Sequence, residues 1–334
     1  MNERSKAKAL LPGDADAFGR LLEGHRRDIV VLCYRFLGSV QDAEDAAQET
    51  ALKAWRARAT FRGEAGVRTW LHRIATRVCL DAIDRRSRRV LPPEVRQAAD
   101  PAAPPEPPTS EIAWLEPLPD AFLLDSSSDP AARYSLRESV SLAFVAALQA
   151  LPPRQRAVLL LRDVLAWRAA ETAEVLGMTV SAANSALNRA RSTLEASVHG
   201  VGAGYGGLSP SAPSDTAQRR LLEAYMRAWE SDDVDALVAT LRDEVRLAMP
   251  PSPSWYAGLS AVAELLRRWV LPMGPFRTRV TGANLQPAVV LSLHRPDGGE
   301  MPIGVHVLRV RDGRIAVIDA FMDQRIAARF SSSV

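Results

Sequence analysis

The sequence has few cysteines, few aromatic residues and almost no excess charge. Two of its 334 residues are cysteine, aromatic residues make up 6%, and the formal net charge is +3. Cys33 and Cys79 lie in apolar, helix-like surroundings without a metal-ligand spacing, so we expect two reduced core residues, no metal site and no cofactor. A net charge this small does not by itself indicate a nucleic-acid-binding protein.

Long apolar runs are also missing. No stretch of 18 apolar residues occurs, and the segment 1–6 is polar and charged, unlike a secretion signal. We therefore expect a soluble, cytoplasmic protein with no membrane partner. Apolar residues still make up 47% of the chain, which is enough for the cores of two or three domains.

The charge is distributed unevenly along the chain. The segment 62–89 holds eight arginines against three acids, whereas the segment 92–132 holds one arginine, Arg96, against eight acids. This segregation is typical of a chain with a nucleic-acid-facing part and a separate acidic part.

Apolar spacing divides the first 214 residues into two helical segments and two linkers. A helical period predicts helices in the segments 13–90 and 131–198. The segment 91–130 contains ten prolines, which predicts an extended linker with little structure of its own. Four of its residues are unusual in a pure spacer and suggest docking on a partner or another domain: Trp114, Leu115, Phe122 and Leu123. Glycine and serine in 199–214 predict a second, flexible linker.

The third segment, 215–330, changes character. Helical patterns come first, and strand-like runs follow them, which indicates an α+β domain. The predicted strands are Arg277 to Thr281, Ala288 to His294, Ile303 to Val310 and Ile315 to Phe321. Pro296-Asp297-Gly298-Gly299 and Asp312-Gly313 are hairpin turn signals between them.

Three motifs carry functional information. The run Asp42–Thr50 is an acidic helix start, which taken alone is equally compatible with a solvated face. The run Arg68-Thr69-Trp70-Leu71 opens an arginine-rich helix. The segment 166–196 has two helical patterns joined at Gly177-Met178-Thr179, which is the spacing of a helix-turn-helix.

These motifs, with Leu151–Arg156 and Arg189–Leu194, resemble the sigma-70 family of bacterial RNA polymerase sigma factors, specifically the extracytoplasmic-function group. The third segment resembles the SnoaL-like, ketosteroid-isomerase-like cone that a SigG-like subgroup carries. The implied fold is multidomain: a region 2 helical bundle (13–90), a region 4 helix-turn-helix (131–198), both all-α, and a C-terminal α+β SnoaL-like domain (215–330).

The resemblance implies a protein that binds core RNA polymerase and promoter DNA and has no catalytic site of its own. Its polymerase contacts would be the β′ clamp helices and the β flap. The residues matching the family's clamp-binding motif are Asp42, Glu44, Asp45, Gln48 and Glu49. The acidic linker would thread toward the polymerase active-site cleft.

The resemblance assigns −10 element recognition and strand opening to the loop after residue 60 and the helix behind it. Arginines suit phosphates, and an aromatic residue suits an unstacked base. The candidates are Phe61, Arg62, Arg68, Arg73, Arg77, Arg85, Arg86, Arg88 and Arg89. Many relatives carry Asn at the position of Arg77, which puts direct base readout there in doubt, and we favour a core role for Trp70 over base stacking.

The second helix of the helix-turn-helix would enter the major groove of the −35 element. Asn can pair with the edge of adenine, Ser can hydrogen-bond to either a donor or an acceptor on a base edge, and Arg can contact phosphate. The candidates are Ser181, Ala182, Asn184, Ser185, Asn188, Arg189 and Arg191.

The C-terminal domain allows more than one hypothesis. Its possible pocket, for a small ligand, would contain Trp255, Tyr256, Trp269, His306, Asp319 and Phe321. A His306–Asp319 pair could act in acid–base catalysis. The alternative is therefore a DNA-binding protein fused to a small ketosteroid-isomerase-like enzyme, an isomerase or hydrolase, or to a ligand-sensing domain. We favour a domain that tunes sigma activity, since no second carboxylate or activated nucleophile accompanies that pair. A dimeric helix-turn-helix repressor is a third hypothesis, but it has no need of the acidic motif.

Overall fold

The computed structural model describes residues 15–61, 66–123, 136–199, 215–295 and 298–331. They form two compact units. The first unit holds the chain up to Arg89 and Phe144–Ala196, and the second holds Val90–Ala143 and the chain from Ser197 onward. Arg62, the segment 124–135, most of the second linker and the predicted turn residues Pro296-Asp297 lie outside the described residues.

Amphipathic helices form the first unit, as the helical period predicts. They are α1 (Ala15–Leu37), α2 (Val40–Ala57), α3 (Val67–Ile83), α4 (Leu142–Ala150, which begins in the second unit), α5 (Pro153–Leu159), α6 (Ala169–Leu176) and α7 (Val180–His199). Cys33 and Cys79 are free and fully buried. The prediction of two core cysteines is therefore confirmed.

The joint between α6 and α7 is the predicted sharp turn. Gly177 ends α6 in the left-handed conformation (φ 61°), which favours glycine. The Thr179 hydroxyl then accepts a hydrogen bond from the Ala182 amide at 3.1 Å and caps the start of α7. The helix-turn-helix prediction is confirmed.

The second unit is built on a mixed six-stranded sheet. Its helices are α8 (Asp215–Glu230), α9 (Val234–Ala239), α10 (Leu259–Leu265) and α11 (Gln324–Ser331). Its strands are β1 (Leu241–Ala248), β2 (Trp255–Ala257), β3 (Phe276–Ala283), β4 (Gln286–His294), β5 (Glu300–Arg311) and β6 (Arg314–Phe321). The strand order in the sheet is β2-β1-β6-β5-β4-β3. Strands β3 to β6 form an antiparallel meander that follows α8, α9 and α10 in the chain, which confirms the predicted α+β class.

Three elements of this unit escape the sequence patterns: β1, β2 and α11. The sequence of β1 contains four charged residues and lacks a strand-like alternation. It becomes a strand because it pairs in parallel with β6, about 70 residues later in the chain. Pairing over that distance is a tertiary effect, so local propensity does not predict it.

The linker after Arg89 is extended, as predicted, but it is not a free spacer. Trp114, Leu115 and Leu123 are buried. The linker backbone bonds to the C-terminal domain at several points, including Ala99 N to Trp255 O (2.8 Å) and Thr109 N to Pro251 O (3.0 Å). The expectation of little structure of its own holds only for secondary structure, because this stretch has fixed tertiary partners.

Candidate nucleic-acid and polymerase interfaces

The predicted −35 residues share one face of α7. Ala183, Ala186, Leu187 and Ala190 are buried, which fixes the rotation of the helix about its axis. The residues on the opposite side are all exposed: Ser181, Ala182, Asn184, Ser185, Asn188, Arg189 and Arg191. The structure therefore brings every predicted −35 residue together on one accessible helix face.

Arg191, at the far end of that face, forms an ion pair with Asp163. Its guanidinium donates two hydrogen bonds to the carboxylate of Asp163, at 2.9 and 2.7 Å. This bidentate pair raises the pKa of Arg191 further and holds the side chain in one direction. Phosphate contact by Arg191 would compete with this pair.

The acidic face of α2 is smaller than the sequence suggests. Asp45 and Gln48 are exposed and Glu49 is half-exposed, but the Asp42 side chain is only 13% exposed. Arg86 lies 2.6 Å from the Asp42 carboxylate.

Arg89 donates to the same Asp42 carboxylate. The reason is that α3 ends at Ile83, so the basic run follows the helix and folds back on α2. Arg86 and Arg89 therefore both bind Asp42, whereas the sequence motifs predicted that Asp42 binds polymerase and that the two arginines bind DNA. Glu44 is also mostly covered and lies 4.0 Å from Arg26.

Two apolar residues extend the exposed acidic surface of α2, and sequence analysis did not select them as binding residues. Leu52 is 53% exposed and Trp55 is 36% exposed. Arg58 stacks over the Trp55 ring at 3.7 Å from its centroid. Large apolar side chains on a water-facing helix are typical of a binding surface.

The candidate −10 residues that the structure describes fall into two groups, those with accessible side chains and those bound to carboxylates of the same unit. Phe61 and Trp70 pack against each other, with ring centroids 5.2 Å apart, and both are partly exposed. Arg77, Arg85 and Arg88 are exposed.

The other two arginines of α3 bind carboxylates of the same unit. Arg68 binds Asp28 at 2.8 Å, and Arg73 binds Glu174 of α6 at 3.3 Å. An aromatic pair flanked by arginines suits an unstacked base and its phosphates.

A buried arginine joins the two helical regions of the first unit. Arg156 of α5 donates to Phe36 O at the end of α1, to Gln149 Oε1 (2.8 Å) and to Gln149 O (3.0 Å). The Gln149 amide also donates to Arg35 O and Phe36 O. Burial lowers the pKa of Arg156 to about 10, which leaves it charged at neutral pH.

The carbonyl groups at the end of α1 carry the negative end of that helix dipole. They are suitable partners for a buried cation such as Arg156.

The predicted pocket of the C-terminal domain is divided by its sheet. Directly paired residues share a face, and neighbours along a strand alternate. Asp319 pairs with Val307, and His306 pairs with Ala320, so Asp319 and His306 lie on opposite faces. Phe321 and Trp255 lie on the Asp319 face, whereas Tyr256 lies on the His306 face. A His306–Asp319 catalytic pair is therefore not formed.

His306 is a core residue. Its Nδ1 lies 2.9 Å from the Tyr225 hydroxyl, and its ring packs edge-on against Trp229. Burial lowers the pKa of His306 to about 4, so the imidazole is neutral at physiological pH. Trp269 instead holds the linker, because its Nε1 donates to Pro101 O at 3.2 Å.

Within the described ranges, no three His, Cys, Asp or Glu side chains are grouped closely enough to hold a metal ion. In that part of the chain, no helix has the length and apolar character needed to cross a bilayer.

Comparison with known proteins identifies each segment. Family models match residues 21–89 (sigma-70 region 2), 141–194 (sigma-70 region 4) and 222–318 (SnoaL-like domain). The sigma factor SigG of Mycobacterium tuberculosis is 42% identical over 316 residues, which cover 94% of this chain and 83% of that protein. SigM of the same species is 32% identical over 196 residues, covering 58% of this chain and 84% of SigM.

A solved structure shows the same fold. The crystal structure of the M. tuberculosis extracytoplasmic-function sigma factor SigJ matches with a TM-score of 0.56 at 22% identity, covering 92% of this chain and 96% of SigJ. At that identity the match supports the fold alone. The extent of the SigG match and the three family models show that this chain belongs to the extracytoplasmic-function family of RNA polymerase sigma factors and carries a C-terminal SnoaL-like domain.

Proposed function

We propose that this sigma factor directs polymerase to promoters through three surfaces of its first unit, and that the C-terminal domain tunes this activity through the linker. The observation that carries the proposal is the face of α7, where all seven predicted −35 residues are exposed above a buried alanine and leucine stripe. A helix that presents Asn and Ser at its N-terminal half is suited to reading base edges in the major groove.

The polymerase surface is the exposed part of α2. Asp45, Gln48 and Glu49 supply polar and negative groups, and Leu52 and Trp55 supply apolar area beside them. We propose that this mixed surface docks on the β′ clamp helices, because complementary charge sets orientation and buried aromatic anchors supply most of the affinity. Contact of region 4 with the β flap is proposed from the family alone.

The proposed −10 surface comprises the Phe61–Trp70 pair and the exposed arginines of α3 and of the segment after it. This assignment changes the interpretation of Trp70: its partial exposure beside Phe61 supports base stacking, which sequence analysis ranked second. Arg77, Arg85 and Arg88 would bind phosphates. Arg86 and Arg89 would act indirectly, because they anchor the basic segment to Asp42.

The −10 surface and the −35 surface cannot bind one promoter at the same time while regions 2 and 4 stay in contact within the first unit. The −10 and −35 elements are about 25 base pairs apart by their names, or about 85 Å at 3.4 Å per base pair. A compact unit of about 140 residues has a radius of gyration of only about 14 Å. The Arg156–Gln149 cluster and the Arg73–Glu174 pair join regions 2 and 4, so these contacts must open on the promoter.

The proposed tuning rests on how the C-terminal domain holds the linker. Trp255 Nε1 donates to Arg96 O at 2.9 Å, and the Ser252 hydroxyl donates to Glu106 O at 2.7 Å. A linker held in this way is not available to thread into the polymerase active-site cleft. Docking of the linker and its use by polymerase are therefore competing states.

Run-off transcription with purified core polymerase tests the promoter assignment. We expect Asn184→Ala to weaken use of the preferred −35 sequence by about 1–3 kcal/mol, or about 5- to 150-fold, because a bidentate base contact is lost. Ser192→Ala is the matched control, since Ser192 is exposed on the C-terminal half of the same helix. Equal −35 preference in the two variants would contradict the assignment.

A further inference from the structure

The turn between β3 and β4 is buried at its first residue, although hairpin tips normally face water. It consists of Asn284 and Leu285, both with positive φ (57° and 54°). Such angles suit a two-residue hairpin, and Asn adopts them readily, but Leu does so rarely. Asn284 is nevertheless fully buried, so another part of the chain must cover this turn.

Asn284 bonds to two segments that are far apart in sequence. Its amide N–H donates to Leu118 O at 2.8 Å, and its side-chain Oδ1 accepts from Leu118 N at 2.8 Å. Its side-chain Nδ2 donates to Val140 O at 2.6 Å. A buried amide with these partners fixes both segments at once, since leaving any of its groups unpaired in the interior is unfavourable.

Asp120 occupies a fitted position beside the same turn. Its Oδ1 accepts from Leu285 N at 2.8 Å, which supports the unusual backbone of Leu285. A Cβ added to Gly282 would lie 2.1 Å from Asp120 Oδ2, so only glycine leaves room for the carboxylate. The linker also forms a β-bridge between Pro119 and Ala283. The hairpin is therefore shaped to take the Leu118–Asp120 segment.

Gln286, the first residue of β4, completes the site. Its Oε1 accepts from Leu142 N at 2.9 Å, and Leu142 is the first residue of α4. The first amides of a helix have no partner inside the helix. The C-terminal domain thus supplies a cap for the helix with which the region 4 match begins.

We propose that the β3–β4 turn is a docking site for the linker, which binds the Leu118-Pro119-Asp120 segment together with Val140–Leu142. The inference rests on the proposed tuning by the C-terminal domain and names its contact point. It also means that removing the C-terminal domain uncaps α4 and frees the linker in one step, so a deletion cannot separate tuning from folding.

Point changes in the turn separate the two. Asn284→Gly removes the side-chain amide while keeping a residue that adopts positive φ. Gly282→Ala places a methyl group against the Asp120 carboxylate. The matched control is Asp312→Gly in the β5–β6 turn of the same domain, where Asp312 also has positive φ (48°) and pairs with Arg242.

Hydrogen–deuterium exchange of the full chain measures docking. We expect Asn284→Gly and Gly282→Ala to raise exchange of the peptide around Leu118 at least tenfold, because opening of the docked state exposes its amide. Asp312→Gly should leave that peptide unchanged. Thermal unfolding of each variant verifies that the domain is still folded.

The outcomes distinguish the docking site from the proposed function. Unchanged exchange near Leu118 in both variants would overturn the docking site. Protection that falls on dilution would also overturn it, because the occupant would then be a second copy. Raised exchange with unchanged run-off transcription would support docking and refute the tuning.

Discussion

Buried polar side chains have different roles in the two units. In the first unit, the buried Arg156 and Gln149 link helices of regions 2 and 4 to each other, and the residues proposed to bind DNA lie on the outside. In the second unit, the side chains that suggest chemistry, His306 and Tyr225, are in the core, and the buried Asn284 holds the linker. Residue types typical of catalysis therefore serve packing here, and surface position is the better guide to function.

Removing Arg156 should have the largest effect. Arg156→Met removes the donor to Gln149 Oε1 and Gln149 O and one of the two donors to Phe36 O. We expect a loss of about 3–5 kcal/mol in the free energy of unfolding of the first unit. Urea unfolding followed by circular dichroism measures it. Arg154→Met is the control, because Arg154 is exposed two residues away. A loss below about 1 kcal/mol would show that the cluster is not a structural joint.

Acid should destabilise the protein through its neutral core histidine. The pKa of His306 is lowered from its usual 6.5 to about 4, so the unfolded chain binds the proton more tightly between these values and stability falls as the pH drops below about 6.5. His306→Gln keeps an acceptor for Tyr225 but does not titrate.

Between pH 7.5 and pH 5, we expect the free energy of unfolding of His306→Gln to fall by about 2 kcal/mol less than that of the wild type. Urea unfolding at the two pH values measures the difference. His72 in the first unit, whose pKa burial also lowers to about 4, still titrates in this variant. Equal losses in the variant and the wild type would show that His306 is accessible to protons in the folded state.

Linker docking should show the opposite pH dependence. Burial raises the pKa of Asp120 to about 6, despite the Leu285 amide and the nearby Arg137, which both lower it. A raised carboxyl pKa means that the docked state binds the proton more tightly, so docking strengthens as the pH falls below about 6.

We expect the protection of the peptide around Leu118 to gain about 1.4 kcal/mol, or about tenfold, from pH 7.5 to pH 5, after correction for intrinsic exchange. Asp120→Asn should remove this gain. A wild type without pH dependence would exclude Asp120 as a titrating part of the site.

The smallest expected effect on stability comes from removing either partner of the Arg73–Glu174 ion pair in the first unit. The Arg73–Glu174 pair is largely exposed on the Glu174 side, so Glu174→Gln should change stability by less than about 1 kcal/mol. Arg73→Gln should change stability equally little but reduce promoter opening, because it also removes a proposed phosphate contact. Permanganate footprinting of the −10 region compares the two variants. Similar footprints would assign Arg73 to interdomain packing alone.

The sequence by itself determines the helical segments, the helix-turn-helix and the α+β class of the last domain. Each of these depends on local spacing. Examples are the buried alanine and leucine stripe of α7 and Gly177, whose left-handed backbone conformation favours glycine. The same periodicity identified the outward face of α7. The spacing of apolar residues and glycines is a property of the sequence itself, so it predicts these features without knowledge of what each helix packs against.

Tertiary structure decided the features that depend on partners distant in sequence. It paired Asp42 with Arg86 and Arg89, placed His306 and Asp319 on opposite faces of the sheet, and made β1 a strand. It also turned a proline-rich linker into a segment held by Asn284, 166 residues beyond Leu118. A charge or an amide shows its residue type in the sequence, but its role depends on which group folding places within hydrogen-bond distance of it.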